Sequence, residues 1–205
     1  MAPATAGGYQ SAISAPKTDR KQSALFQAVK EKIQKARHFA EEAEKQIYHG
    51  DFMAAYSSYK LAQTYDPRNE DYKRNVEMLE GKVGKIRAAN TYKRAQKLLD
   101  NHDEDAAIEL LRQVVEEDKS HAAARFELAK LLFPRMNRGG PDAKAEVIEL
   151  AESAAILDGD KAEHLLLAAK VVHVVGNVER AKELYREALK IDRKNEIAKK
   201  ALKEL

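Results

Sequence analysis

The pattern that most restricts this chain is a set of small residues held at fixed distances from a turn. Around Gly176-Asn177, Ala169 lies seven residues before the glycine, and Ala181, Tyr185 and Ala188 lie five, nine and twelve residues after it. The same offsets around Gly50-Asp51 give Ala43, Ala55, Tyr59 and Ala62. Apolar residues between these markers recur every three or four positions, which is helical spacing. Each window therefore reads as two helices folded back on each other across a turn, with alanine where the two backbones come closest.

Two further windows carry the same marks in worn form. Around His102-Asp103 stand Ala95, Ala107, Leu111 and Val114. In the window that starts at Ala122, Leu128, Ala129 and Leu132 keep the order, and Val147 stands where the other second helices have alanine. Generic helical hairpins share the 3.6-residue period but not four copies of an alanine seven residues before a turn, here Ala43, Ala95, Ala129 and Ala169. The four windows, 36–69, 88–121, 122–161 and 162–195, resemble tetratricopeptide (TPR) repeats. The resemblance implies an all-α fold, an α-solenoid of antiparallel helix pairs wound into a right-handed superhelix. Departures are visible: the usual Trp, Leu and Gly of the first helix become Phe39, Glu42 and Ala43 in one window and Thr91, Arg94 and Ala95 in another.

The rest of the chain is read around these windows. Residues 1–20, rich in Ala, Gly, Ser, Pro and Thr, predict a flexible tail that packing would not order. Residues 21–205 then form the repeat domain. Its first helix is predicted over 22–47, and its second runs to Tyr65, where Asp66-Pro67 stops it. Between the first two windows lies an 18-residue excess, 70–87, predicted as part of one linking helix over 69–99. Gly81 and Gly84 each cost about 1 kcal/mol relative to alanine in a helix, so a kink or break is expected there if anywhere. Pro134, Gly139, Gly140 and Pro141 predict a loop ahead of a helix over 145–157. Residues 196–205 read as a C-terminal capping helix whose Ile197, Ala201 and Leu205 cover the last apolar face.

Enzyme chemistry finds little support. Without cysteine there is no disulfide, thiolate ligand or cysteine nucleophile. The six histidines show no pairing four residues apart, and Arg138-Gly139-Gly140-Pro141 lacks the lysine of a phosphate loop. His102 and His121 fall at turns and read as solvated. The expectation is no catalysis, no cofactor and no metal. No stretch approaches the roughly 20 apolar residues of a membrane span, and the N-terminus lacks the apolar core of a signal peptide. A soluble, cytoplasmic protein is expected.

Partner binding is what the resemblance implies, because TPR arrays present the inner faces of their first helices as a groove for an extended or helical peptide. Carried over by position, the first window would offer Arg37, Ala40, Glu41, Glu44 and Tyr48, and the second Tyr92, Lys93, Gln96 and Leu99. The third would offer Phe126, Glu127, Lys130 and Phe133, and the last Glu163, Leu166, Leu167, Lys170, His173 and Val174. Family members that clamp a C-terminal carboxylate use a fixed set of Lys and Asn. Here Ala40, Glu44, Tyr92 and Gln96 stand in the corresponding places, so no such clamp is expected. The run His164 to Val175 is apolar nearly all round. It either packs on both sides against neighbouring helices or provides an apolar seat, with Phe126, Phe133, Leu166 and His173 as anchors.

Charge is uneven although the formal net is only +3. Lys82, Lys85, Arg87, Lys93, Arg94 and Lys97 follow one another with no acid between, and Asp100 to Asp118 then holds eight acids against Arg112. The basic stretch 82–97 offers an alternative function, contact with an acidic partner or, less favoured, nucleic acid. The favoured reading of the same residues is a solvated helix face answering the acidic stretch. Self-association through Leu166-Leu167 or Ile197 is a third reading.

Overall fold

The computed structural model describes residues 17–205, with the side chains of 21–205. Among the described residues, all regular structure is helical. Nine α-helices come in order: α1 (Lys17–Tyr48), α2 (Phe52–Tyr65), α3 (Glu70–Asp100), α4 (Glu104–Glu117), α5 (Ala122–Leu132), α6 (Gly140–Leu157), α7 (Ala162–Val174), α8 (Val178–Ile191) and α9 (Glu196–Glu204). A 3-10 turn, Phe133–Arg135, comes after α5. Tight turns join α1 to α2, α3 to α4 and α7 to α8, so successive helices run antiparallel. The expected tail over 1–16 lies outside the described residues. Residues 17–20, expected in that tail, instead form the first turn of α1, because Lys-Thr-Asp-Arg contains no breaker and each added residue gains a helical hydrogen bond.

The chain divides into two compact units, Met1–Glu80 and Gly81–Leu205. The first has a core of Ala40, Ala43, Ala55, Tyr59, Ala62, Val76 and Leu79, drawn from α1, α2 and the start of α3. The alanines that mark the window meet there. Phe39 stacks nearly parallel on Tyr65 at 5.6 Å between ring centroids, and the Ser58 hydroxyl donates to Gln46 Oε1 at 2.8 Å. The second unit has a continuous core running from Ala88 and Ala95 through Leu111, Leu128, Val147 and Leu150 to Leu184 and Ala198. Ala95, Ala129, Ala151, Ala169, Ala181 and Ala188 are fully buried in it, and Ala107 of α4 is fully buried as well.

Three turns show why the windows tolerate wear. Gly50, His102 and Gly176 all have left-handed backbones, with φ of 80°, 60° and 90°. Glycine adopts that conformation freely, whereas His102 does so against the steric preference of its Cβ. The residue after each turn has a common role: Asp51, Asp103 and Asn177 cap the next helix, their side chains accepting from Ala54, Ala106 and Arg180 backbone N–H groups at 3.0, 3.2 and 3.3 Å. Asn195 caps α9 in the same manner.

The linking segment is one uninterrupted helix, α3. Gly84 is there for approach: a Cβ built on it would lie 3.0 Å from the Glu117 carbonyl oxygen at the end of α4, while one on Gly81 would meet nothing. Gly81→Ala should therefore raise stability by about 1 kcal/mol. Gly84→Ala should gain less or lose, because the intruding methyl faces backbone. Urea denaturation of the two variants side by side checks the difference. One boundary is corrected: Gly140 and Pro141, expected in the loop, open α6, since proline lacks only an N–H that the first turn leaves unpaired anyway.

Candidate functional site

In the second unit the first helices of the pairs, α3, α5 and α7, bring together a strip of aromatic and imidazole rings. Each member is held by a local cause. His121 precedes α5 and serves as its cap, its Nδ1 accepting from the Ala124 N–H at 3.2 Å. That fixes the ring beside Tyr92 of α3, 4.6 Å between centroids. His164 of α7 is buried, with Nδ1 3.2 Å from the Ala154 carbonyl oxygen. A carbonyl only accepts, so the proton sits on Nδ1. The ring so held stacks on Phe126 of α5 at 4.4 Å and 22°, and Lys130 Nζ lies 5.8 Å from the Phe126 ring centroid.

The charges along this strip are answered locally. Lys130 Nζ is 3.4 Å from Glu127 Oε2, and Lys161 Nζ is 2.6 Å from Asp158 Oδ2. The hydrogen bond from Lys161 holds the Asp158 carboxyl below its ordinary value. Burial, and then the Glu127 carboxylate, push the Tyr92 phenol upward, with the Gln96 side chain acting in the other direction. Tyr92 is therefore a neutral hydrogen-bonding ring at physiological pH. Half-buried Tyr92, His121 and Phe126, between paired charges, make a surface suited to apolar or aromatic side chains rather than to a strongly charged ligand.

Of the other residues singled out for the groove, Gln96 is exposed one turn after Tyr92, and Leu167 and Lys170 are half-buried on α7. His173 and Val174 are exposed at the end of α7. Leu166 is buried with Leu165, Val171 and Val172. The apolar surplus of α7 is thus largely spent on packing against its neighbours, and Leu166 is core rather than an exposed anchor. Phe133 lies past the end of α5, in the 3-10 turn, packed against the core. Tyr48 belongs to the first unit, 87% exposed at the end of α1. The strip gathers Tyr92, Phe126 and Lys130 with His121 and His164. Neither histidine stands out as a groove candidate in the sequence, and His121, which reads there as solvated, is a half-buried cap.

The basic residues Lys82, Lys85, Arg87, Lys93, Arg94 and Lys97 are all exposed on α3. Lys85 reaches the acidic stretch: burial pushes the Asp118 carboxyl up, but the Ser120 hydrogen bonds and then the Lys85 charge outweigh it and hold the group below its ordinary value. The acids of α4 find their firmest partners elsewhere. Arg135, on the inserted turn, pairs with Glu104 at 2.9 Å and with Asp105, and Arg112 pairs with Glu146 of α6.

A cleft of about 400 Å³ opens between α4, α5 and α6, lined by Arg112, Lys119, Arg125, Glu116, Glu146 and Glu149 among others. Arg125 is buried, its Nε donating to the Lys119 carbonyl at 3.0 Å. It stands four residues before Ala129, as Phe39 stands four before Ala43. Three cations against three acids leave this cleft without a preferred sign. Among the described residues no group of three or more His, Asp or Glu is disposed to hold a metal ion, and no helix is long and apolar enough to cross a membrane.

No protein-family model and no curated protein sequence matches the chain. Solved structures do. The first TPR domain of Spaghetti (RPAP3), solved with an HSP90 peptide, is 16% identical, covers 58% of this chain and 90% of its own, and has a TM-score of 0.50. The TPR domain of Arabidopsis OM64 is 12% identical over 59% of this chain and 95% of its own, also at 0.50. MamA is 22% identical over 78% of this chain and 80% of its own, at 0.49. At these identities the likeness is one of fold. With the repeated alanine offsets and the antiparallel helix pairs, the first two of these likenesses show a TPR-like helical-repeat fold.

Proposed function

We propose that this protein is a non-catalytic, cytoplasmic interaction scaffold that seats an extended or helical segment of a partner protein across α3, α5 and α7 of its second unit. The observation that carries the reading is the ring strip of Tyr92, His121, Phe126 and His164, fixed by a helix cap and a buried hydrogen bond and edged by paired charges. Tyr92, His121 and Phe126, half-buried and positioned in advance, lose little entropy on binding, which favours their use as anchors, while the buried His164 backs Phe126 from within the core. The fold agrees, since one structure of similar fold was solved with a peptide bound. The bound segment is apolar or aromatic at its anchor positions. A C-terminal carboxylate is not the feature it presents, because Tyr92 and Gln96 stand where a clamp would place Lys or Asn.

Selection from a displayed random-peptide library on the intact chain tests this. Selected peptides should be rich in aromatic and aliphatic residues. Phe126→Ala and Leu167→Ala should each weaken them by about tenfold or more, which is about 1.4 kcal/mol, measured below the thermal transition, which both truncations lower because Leu167 packs on the core and Phe126 on His164. Selected peptides that bind both variants as tightly as the parent would sink the proposal.

A second reading has its own support in Lys93, Arg94 and Lys97, exposed on α3 beyond the strip. There an acidic partner segment is bound by charge, and its affinity falls steeply between low and moderate salt while that of an apolar segment hardly changes.

A further inference from the structure

The apolar stripe of α1 continues where its cover does not. α1 has 32 residues and α2, which folds back on it, has 14. Phe26, Val29, Ile33, Ala36, Ala40 and Ala43 succeed one another at alternating steps of three and four, a seam along a single face of α1. From Ala36 onward the seam is closed: Ala36 and Ala43 are fully buried and Ala40 is 8% exposed. Upstream it lies bare, with Phe26 68% and Val29 47% exposed and the adjoining Leu25 67% exposed. At 100° per residue, Lys21 and Lys32 flank one edge of the bare seam and Lys30 the other, whereas Glu31 falls on the far side of the helix.

We propose that this bare stretch of α1 is a docking seam for an amphipathic helix of a partner protein whose own apolar stripe is flanked by Asp and Glu. Three properties select that occupant. The seam offers about two apolar positions per seven residues, the narrow pattern that receives the side chains of one facing helix; a helix lying in a membrane surface presents a broader apolar face. It is continuous with the α1–α2 contact, so a helix laid there extends a packing arrangement already present in the unit. The exposed lysines on both edges require carboxylates opposite them. A second copy of α1 would bring lysine to the same seam, and its Glu31 would face away.

The test uses the full chain and two synthetic helical peptides with leucine at the seam positions, one with glutamate at the flanking positions and the other with lysine. The glutamate peptide should bind at least about tenfold more tightly than the lysine peptide. The double substitution Phe26→Glu with Val29→Glu should remove that binding while leaving helix content and the thermal transition unchanged, since both side chains are exposed. Equal binding of the two peptides, or binding that survives the double substitution, overturns the proposal. Binding to vesicles of phosphatidylserine and phosphatidylcholine without binding to the glutamate peptide overturns it in favour of a membrane surface. Concentration-dependent dimerisation abolished by the same substitutions, with no peptide binding, overturns it in favour of a second copy. The substitutions lie on α1 and leave Phe126 and Leu167 intact, so failure here is separable from failure of the groove reading.

Discussion

Leu111→Ala is expected to lower the unfolding free energy of the second unit by about 2–5 kcal/mol. Leu111 is fully buried on α4 and belongs to the core that also holds Ala95, Ala124 and Leu128. Two terms add in the loss. Removing the side chain forfeits the transfer of its methyl and methylene groups from water, and the space left behind fails to close. Closure is poor here because many of the core residues are alanines, which have no longer rotamer to reach inward, and the helix backbones are already near contact. A urea titration should show the midpoint falling with the slope unchanged, the sign of lost stability rather than of an altered unfolded state. A loss below about 1 kcal/mol would mean that the helices slide inward to fill the space, which backbones already in close contact could not do.

The second large effect has the opposite change in volume. Ala169→Leu should destabilise the same unit by about 1–3 kcal/mol or more. Ala169 is fully buried where α7 packs within the core, and a leucine there must either take an off-rotamer conformation or push the helices apart. Ala89→Leu supplies the control, because Ala89 is exposed on α3 and leucine is nearly as good a helix former as alanine. It should change stability by no more than about 0.5 kcal/mol. A variant pair that behaved alike would show that the repeated spacing of alanines reflects helix propensity and not backbone approach.

Much of the fold is legible in the sequence because close helix contact leaves a mark at single positions. Ala43, Ala55, Ala62, Ala169, Ala181 and Ala188 read as contact sites, and all are fully buried. Sequence reasoning misjudges places where tertiary context outweighs local preference. Gly84 reads as a weak point of a helix, yet it is the residue that admits the Glu117 carbonyl; nothing within α3 announces what will approach it. Gly140 and Pro141 read as loop, but proline is as much at home in a first helical turn, and only the structure beyond it decides. The apolar excess of α7 is visible, whereas its division into buried Leu166 and half-buried Leu167 depends on neighbours brought from other windows. For the candidate site, Phe126 and Tyr92 can be placed by position. His121 and His164 cannot, because a histidine that caps a helix or stacks on a ring has no spacing signature of its own.

The repeated caps at Asp51, Asp103, Asn177 and Asn195 bear on how the chain reaches this structure as well as on how it holds it. Each of these helix starts is specified by the residue beside it, and the helices of each pair are neighbours along the chain. Little loop entropy stands in the way of any one hairpin, and none must wait for a distant segment. Folding of such a chain begins at whichever hairpin closes first and spreads to its neighbours, on the rapid side of the range for proteins of this size. An emerging polypeptide can bury its apolar faces pair by pair as it is synthesised, without holding a half-finished core in water.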